Sequence, residues 1–540
     1  MDGELTGHGG ELALAALRYF GVDELFTLSG GHIFPLYDAA VNSGVRLIDV
    51  RHEQTATFAA EAMAKLTRRP GVVALTAGPG VTNGVSATTT AWFNGSPLVV
   101  IGGRAGNRGW GRGALQEFDH VPVMAPITKL ATTVGQTSAI AEVMYGAAEA
   151  ATTPHRGPVF VDIPIDVIYD RATVAVPQRT APARPDPDPG AVQRAAALLA
   201  TARQPAIIAG TDVYFDGAWE ALRAAAEALR VPVYLNGLGR GCLPADHELV
   251  FSSSRSMLKR DADVVVVIGT PLDFRVGFGT FGEAKVAHVV DHPDRLATHV
   301  SPAVSVAGDL ALILQAFADY RGARNDHEPW IAHLRDAERS VAAHDAPLLG
   351  ADSDPIKPTR IYGELRKVLD RDAVVVCDGG DFVSYAGKYI DSYEPGCWLD
   401  PGPYGCLGTG MGYAMAARVA RPDRQVVVMM GDGAAGFSLL DIDSLVRHGL
   451  PVVIVVGNNG CWALEKFPMT KLYGYHVAAE LRPETRYDRV VEALGGAGEM
   501  ITEAKEIAPA LGRAFASGVP YLLNVITDPD DEYPRQSALG

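Results

Sequence analysis

Short runs of β-branched and apolar residues recur along the chain. Between them lie longer stretches in which alanine and leucine alternate with charged residues at helical spacing. The first group of runs is RLIDV from Arg46, GVVALT from Gly71, PLVVIGG from Pro97 and GPVFVDIP from Gly157. The second is PAIIAG from Pro205, VPVYL from Val231, ADVVVVIG from Ala262 and AHVVD from Ala287. The third is AVVVCDGG from Ala373, RQVVVMMGDG from Arg424, PVVIVVGNNG from Pro451 and PYLLNVIT from Pro520. Each is nearly continuous in apolar residues, as strands covered on both faces are. The alternation predicts an α/β protein of three doubly wound parallel-sheet domains. The first spans residues 1–175. A Pro-rich stretch, VPQRTAPARPDPDPG, forms a stiff linker over 176–190. A central domain covers 191–335 and a polar linker 336–357, with a helix in PWIAHLRDAERSVAAH and a loop in DAPLLGADSDP. The third domain covers 358–530, and a short polar tail, DEYPRQSALG, covers 531–540.

The length of 540 residues suits three domains of roughly 100–200 residues each. A net charge of −16 makes the chain a poor match for nucleic acid or an anionic membrane. No stretch approaches 18 uninterrupted apolar residues, and the N-terminus lacks the basic region and cleavage site of a secretory signal. A cytoplasmic protein is therefore expected. The five scattered cysteines form no CxxC pair, which argues against a disulfide scaffold or a zinc knuckle.

The densest chemistry lies in the third domain. QVVVMM runs into Gly431-Asp432-Gly433, a helix-like FSLLDIDSLVRHG follows, and the next strand ends in Gly457-Asn458-Asn459-Gly460. Asp432 and Asn459 thus fall at the carboxyl ends of two parallel strands, the edge where doubly wound sheets bind ligands. A carboxylate, an amide oxygen and backbone carbonyls are hard donors, and Mg²⁺ takes a few of these together with phosphate oxygens. Gly433 lets the backbone approach a phosphate, and the helix start offers free N–H groups. Each segment alone is ordinary turn chemistry. Paired at strand ends about 25 residues apart, they point to a Mg²⁺–diphosphate site.

GDGAAGFSLLDIDSLVRHGLPVVIVVGNNG resembles the diphosphate motif of the thiamine diphosphate enzymes of the pyruvate decarboxylase and acetolactate synthase superfamily. The resemblance implies that Asp432, Asn459 and the carbonyl of Cys461 hold Mg²⁺, with Gly431, Gly433 and Ala434 at the diphosphate. Ala434 stands where the family often has serine, so a hydroxyl contact is lost while backbone N–H contacts remain. RHEQTATFAAEAMAK, from Arg51, resembles the segment that carries the cofactor-activating glutamate, here Glu53. TAGPGVTN, from Thr76, resembles the Gly-Pro-Gly-x-x-Asn loop, with Gly78, Pro79, Gly80 and Asn83 in register. GPYGCLGTGMG, from Gly402, resembles the strip that bends the cofactor: Gly405 would offer its carbonyl to the aminopyrimidine, and Leu407 would be the apolar wedge. The DGGD run at Asp378–Asp381 lies where the family has another diphosphate-side loop, with Gly380 and Asp381 as the cofactor-binding candidates. The resemblance runs from Glu11 to Asp528 and makes the three domains pyrimidine-binding, central and diphosphate-binding. Glu53 and Asp432 fall in different domains, which in this family come from different subunits. A homodimer or homotetramer with sites between subunits is implied.

For the substrate, GALQEFDHVPVMAPITK, from Gly113, resembles both acetolactate synthases and 2-hydroxyacyl-CoA lyases, whose Gln-Glu pair, here Gln116 and Glu117, approaches the active site. GTPLDFRVGFG, from Gly269, resembles the central-domain strand end that binds FAD in the synthases and ADP or CoA in the acyl-CoA branch. Arg255, Lys259, Arg260 and Arg275 would supply cations for CoA phosphates, although a solvated basic face accounts equally for the first three. CWALEKFP departs from the Gly-Tyr-Gly-Met of acetolactate synthases and puts Glu465 where pyruvate decarboxylases carry an active-site glutamate. The histidine pair of those decarboxylases has no clear counterpart, since the region offers only Asp119-His120. His32, in SGGHIFPL, falls near the reacting carbon.

The combination most resembles an actinobacterial-type 2-hydroxyacyl-CoA lyase. That implies thiamine diphosphate and Mg²⁺, with ADP a candidate in the central domain and FAD less favoured. An acyl-CoA such as 2-hydroxyisobutyryl-CoA would be cleaved to a ketone or aldehyde plus formyl-CoA. Glu465 would be the base, Gln116 and His32 polar helpers, and Arg535 of the tail a CoA contact. The alternative is an acetolactate synthase or 2-oxo acid decarboxylase. A non-catalytic cofactor-binding sensor is disfavoured by Glu53, which diphosphate binding alone does not need. A separate dinucleotide binder is disfavoured because no Gly-x-Gly-x-x-Gly opens a helix after a first strand.

Overall fold

The computed structural model describes residues 3–176 and 184–534. Arg535 and residues 177–183 of the expected linker lie outside the described residues. Three six-stranded parallel sheets form the body of the protein. The first runs, in spatial order, Arg46–Asp49, Glu24–Thr27, Gly71–Leu75, Leu98–Arg104, Val159–Pro164 and Ala131–Thr133. The central sheet runs Val250–Phe251, Val233–Leu235, Pro205–Ala209, Val264–Ile268, Lys285–Val290 and Val304–Ala307. The third runs Trp398–Leu399, Val374–Asp378, Val426–Gly431, Val453–Asn458, Tyr521–Ile526 and Ala497–Ile501.

Interior strands such as Gly71–Leu75 and Val264–Ile268 are buried at every residue, because helices cover both faces. Counted from the start of each sheet, both outer sheets have the order 2-1-3-4-6-5, although their sequences show no repeat. The central sheet has the order 3-2-1-4-5-6 of dinucleotide-binding folds. The strand pair Glu4–His8 and Arg171–Ala175 is antiparallel and closes the first domain on itself.

The helix Glu328–Leu349 runs across residue 335, where sequence reasoning drew a domain boundary, and continues into the segment expected to be a loop. Trp330, Ile331 and Leu334 bury its first half, and Trp330 Nε1 donates to the Pro205 carbonyl at 3.0 Å. Pro347 sits near the helix end, and Asp345 is anchored by Lys388 at 2.7 Å. Among the described residues, no helix is long and apolar enough to cross a membrane.

The two outer domains meet along two helices, Glu53–Thr67 and Thr409–Ala420. Gly412 permits the approach, since a Cβ there would lie 2.7 Å from the Thr55 carbonyl oxygen. Their contact encloses a polar node. Lys65 Nζ lies 2.9 Å from Glu61, and their side chains are 3% and 0% exposed. Glu61 also accepts from Tyr413 OH at 2.7 Å, Asn94 Nδ2 at 2.9 Å and Ser96 Oγ at 3.1 Å. Lys65 donates to Tyr413 OH at 2.8 Å, and Tyr214 OH of the central domain donates to the Lys65 carbonyl at 2.7 Å. All three domains thus close on one buried ion pair.

Candidate active site

The third strand of each outer sheet delivers its chain to a functional loop. In the first domain, Gly71–Leu75 leads to Gly78, whose backbone (φ +62, ψ −115) is one only glycine tolerates. The short helix Pro79–Asn83 follows. Glu53 begins the helix Glu53–Thr67, capped by His52, whose Nδ1 accepts from Gln54 N–H at 3.1 Å. Glu53 is buried, and its Oε2 accepts from Asn83 Nδ2 at 3.0 Å. His32 and Gln116 border a hollow of about 650 Å³ with Gly30, Thr76, Leu115 and Tyr169. His32 Nδ1 lies 3.3 Å from Thr76 Oγ1, and burial holds its imidazole below the usual value. Gln116 has φ +57 and packs against the Gly78 turn.

In the third domain, Val426–Gly431 leads into the helix Asp432–Ser438, with Gly431 as its N-cap residue. Asp432 is buried. Its Oδ1 accepts from Gly433 N–H at 3.0 Å and its Oδ2 from Gly460 N–H at 2.8 Å. The latter bond ties the Gly-Asp-Gly turn to the Asn-Asn-Gly turn. Asn459 Oδ1 accepts from Cys461 N–H at 3.2 Å. Desolvation pushes the Asp432 carboxyl up to about 7, against the pull of its two N–H donors. A Cβ on Gly433 would overlap the Trp462 ring, so this glycine is required by close packing. Ala434 is buried beside Gly379.

A cleft of about 670 Å³ opens beside these turns, between the central and third domains. Gly380, Gly405, Leu407, Trp462 and Glu465 line it from the third domain, and Asn236, Arg240, Arg255 and Arg275 from the central one. Arg255 donates to Asn236 Oδ1 at 2.7 Å, and burial lowers its guanidinium to about 10. Arg275 is paired with Asp273 at 2.6 Å. Arg240 stacks 4.0 Å above the Trp398 ring and donates to the Gly387 and Ile390 carbonyls. Asp381 lies behind Gly380. Burial raises its carboxyl to about 6, and the Glu465 charge adds to the rise.

The structure does not bring Arg260 to this cleft. It ends the helix Ser256–Arg260, is 67% exposed, and pairs with neighbouring Asp261 at 2.8 Å. Lys259 is likewise exposed. Glu117 caps its own loop, accepting from Gly111 and Ala114 N–H.

Sequence reasoning also missed several residues that shape the site. Asp378, at the end of its strand, accepts from Gly408 N–H at 3.1 Å and Gly410 N–H at 2.8 Å, which fixes the loop carrying Leu407. Gln54 Nε2 donates to the Leu407 carbonyl at 3.2 Å. His120 lies beneath the Gly78 turn. Asp378 lies in the DGGD run that the sequence pointed to, but as part of a diphosphate-side loop and not as the anchor of the Leu407 loop, and His120 drew attention there only as a candidate catalytic group.

The arrangement fits a Mg²⁺–diphosphate ligand on its own terms. Among the described residues Asp381 Oδ2 is buried without a hydrogen-bond partner, and desolvation raises the Asp432 carboxyl to about 7, a penalty that a divalent cation relieves. Glu53, Asn83, His32 and Gln116 sit on the first domain, and among the described residues none lines both the hollow and the cleft.

Comparison with known proteins agrees. Residues 7–123 match the model of the thiamine pyrophosphate enzyme N-terminal TPP binding domain, 192–317 the central domain and 378–525 the C-terminal TPP binding domain. The chain is 50% identical, over 99% of its length and 98% of the relative's, to acetolactate synthase large subunit IlvG of Mycobacterium tuberculosis. It is 34% identical to 2-hydroxyacyl-CoA lyase 2 of Caenorhabditis elegans, over 93% of this chain and 86% of that one. Identity to the human 2-hydroxyacyl-CoA lyase 2 is 33%, over 94% and 87%. With all three of its domains matched and a full-length relative sharing half its residues, this chain belongs to the thiamine pyrophosphate enzyme family.

Proposed function

We propose that this chain is a carbon–carbon bond-forming enzyme of the acetolactate synthase type, which joins the acyl part of one 2-oxo acid to a second carbonyl substrate. The observation that carries this reading over the acyl-CoA lyase is the 50% identity to a full-length acetolactate synthase subunit, against 34% and 33% to the lyases. Thiamine diphosphate, when bound, supplies a stabilised carbanion. Asp432, Asn459 and the Cys461 carbonyl hold Mg²⁺, while the N–H groups after Gly431 and at Gly379-Gly380 bind the diphosphate. Leu407 and the Gly405 carbonyl would hold the bound cofactor's rings, and Glu53, oriented by Asn83, would keep a proton at its carboxyl for the aminopyrimidine. His32 and Gln116 bind the substrate's oxygens across the hollow. Glu465, at the cleft, holds and returns a proton.

Two chains pair so that the hollow of one meets the cleft of the other. Exposed Phe34, Leu115 and Phe118 beside the hollow, and exposed Tyr404, Phe437 and Leu440 beside the turns of the third domain, support this surface. Arg240, Arg255 and Arg275 favour an anionic ligand in the central domain, a flavin or adenine nucleotide.

The same arginines beside Glu465 favour a second reading, cleavage of a 2-hydroxyacyl-CoA, whose phosphates they would bind. The test offers purified protein with Mg²⁺ and thiamine diphosphate either pyruvate or 2-hydroxyisobutyryl-CoA, with products read by mass spectrometry. Acetolactate from pyruvate supports the synthase. Acetone and formyl-CoA, with pyruvate untouched, overturn it in favour of the lyase.

A further inference from the structure

His120 is fully buried, and both of its ring nitrogens are engaged. Gly78 N–H donates to Nε2 at 2.9 Å. An amide N–H can only donate, so Nε2 is unprotonated and the ring proton sits on Nδ1. Nδ1 lies 3.2 and 3.3 Å from the two carboxylate oxygens of Asp162. Asp162, in the strand Val159–Pro164, is itself fully buried and is neutralised from the next strand by Arg104 at 2.8 Å. Arg104 is held in turn by stacking 3.7 Å over the Trp110 ring. A line of contacts therefore runs from Arg104 through Asp162 and His120 to the Gly78 turn. From there the helix Pro79–Asn83 carries it to Asn83, which holds Glu53.

We propose that His120 is a positioning residue: as a neutral imidazole oriented by Asp162, it fixes the Gly78 turn and so sets Asn83 and Glu53 against the cofactor. The inference rests on Glu53 being the acid that meets the aminopyrimidine, as proposed above. It assigns His120 no proton transfer to substrate, since neither nitrogen is available and no part of the ring reaches the hollow. Gly78 is the point that needs such a clamp. Its backbone lies in a glycine-only region, and its N–H, buried at the head of a five-residue helix, finds its acceptor in an imidazole 42 residues away.

The test uses three variants of the full chain loaded with thiamine diphosphate and Mg²⁺: His120→Phe, His120→Gln and Glu53→Gln. The readouts are the rate at which the bound cofactor exchanges its C2 proton in D₂O, followed by NMR, and the cofactor dissociation constant from tryptophan fluorescence. His120→Phe keeps a ring between Phe118 and Phe160 but loses the acceptor. It should slow exchange roughly 10- to 100-fold, as misplacement of a reacting group does. His120→Gln keeps an acceptor, its amide oxygen, within reach of Gly78 N–H, and an amide N–H for Asp162, and should restore most of the rate. Exchange at the wild-type rate in His120→Phe, with Glu53→Gln slow, overturns the proposal and leaves Glu53 standing. A wild-type rate in Glu53→Gln overturns the assignment of Glu53 on which the proposal rests. A loss in His120→Gln as deep as in His120→Phe overturns the positioning role. Should His120→Phe not fold, the ¹⁵N shifts of His120 in the wild-type protein decide. A protonated Nδ1 with a bare Nε2 at neutral pH supports the proposal, and an imidazolium or an Nε2–H tautomer overturns it.

Discussion

Lys65→Met tests whether the buried node between the two outer domains is as demanding as its geometry implies. The Lys65 and Glu61 side chains are 3% and 0% exposed, so neither charge is screened by water. Removing Lys65 leaves the Glu61 carboxylate in the core with three neutral donors, Tyr413, Asn94 and Ser96. Breaking a buried pair costs about 3–5 kcal/mol, and the three surviving donors place this case near the lower end, about 3 kcal/mol. For a domain of 150–250 residues that is a fall in Tm of roughly 6–12 °C. Glu61→Gln should cost a similar amount by stranding the ammonium. The double variant carries no buried charge, and the Gln oxygen still accepts from Tyr413. It should therefore be more stable than the sum of the two losses by about 1–3 kcal/mol. The assay is urea unfolding of the cofactor-free protein at one protein concentration, since association shifts the midpoint. A Lys65→Met cost under about 1 kcal/mol, or strict additivity in the double variant, would refute the reasoning.

In the metal-free protein the Asp432 carboxyl is raised to about 7, above its unfolded value, so its contribution favours the folded state at low pH and is lost as pH rises through 7. Mg²⁺ takes only the ionised form. Affinity for Mg²⁺ with diphosphate should therefore rise between pH 6 and 8, with proton release falling from nearly one per site at pH 6 to almost none at pH 8, read as binding heats that differ between buffers of unlike ionisation enthalpy. Gly457→Ala would drive a methyl into the buried Phe382 ring at the start of the helix Gly380–Tyr389. A loss of about 1–3 kcal/mol by thermal unfolding and weaker cofactor binding by fluorescence are expected, and an unchanged protein would show that the ring can yield. Glu465→Gln should lower kcat by roughly 10²- to 10⁴-fold with little change in KM, and full turnover would remove Glu465 from proton transfer.

Most interior strands were legible because helices on both faces demand unbroken apolar runs, and so was the edge strand Arg46–Asp49. The interior strand Glu24–Thr27, only four residues long, and the other edge strands were not. Ala497–Ile501 has four of its five residues only half-buried, and its sequence, AGEMI, carries a glutamate on a solvated side. Trp398–Leu399 and Val250–Phe251 are two residues long, too short to show a period. The Asp432 and Asn459 turns could be read because strand, turn and helix start are contiguous in sequence. The groups that hold the Leu407 loop and the Gly78 turn in place could not, because their partners are remote in sequence: Asp378 bonds Gly410, and His120 bonds Gly78. Arg255 and Arg260 look alike in sequence. Five residues separate them, about 140° beyond a full helical turn, enough to aim the first into the cleft and the second at solvent.

The shared strand order of the outer domains has a consequence for genetics in the test tube. Under the chain pairing proposed above, the Glu53 end of the site on one chain would work with the Asp432 end on its partner. A mixed pair, one chain with Glu53→Gln and the other with Asp432→Asn, would gather both lesions into one site and leave the other whole. Two inactive proteins, unfolded and reassembled together at random, should then recover about a quarter of wild-type activity, since half the pairs are mixed and each mixed pair keeps one site of two.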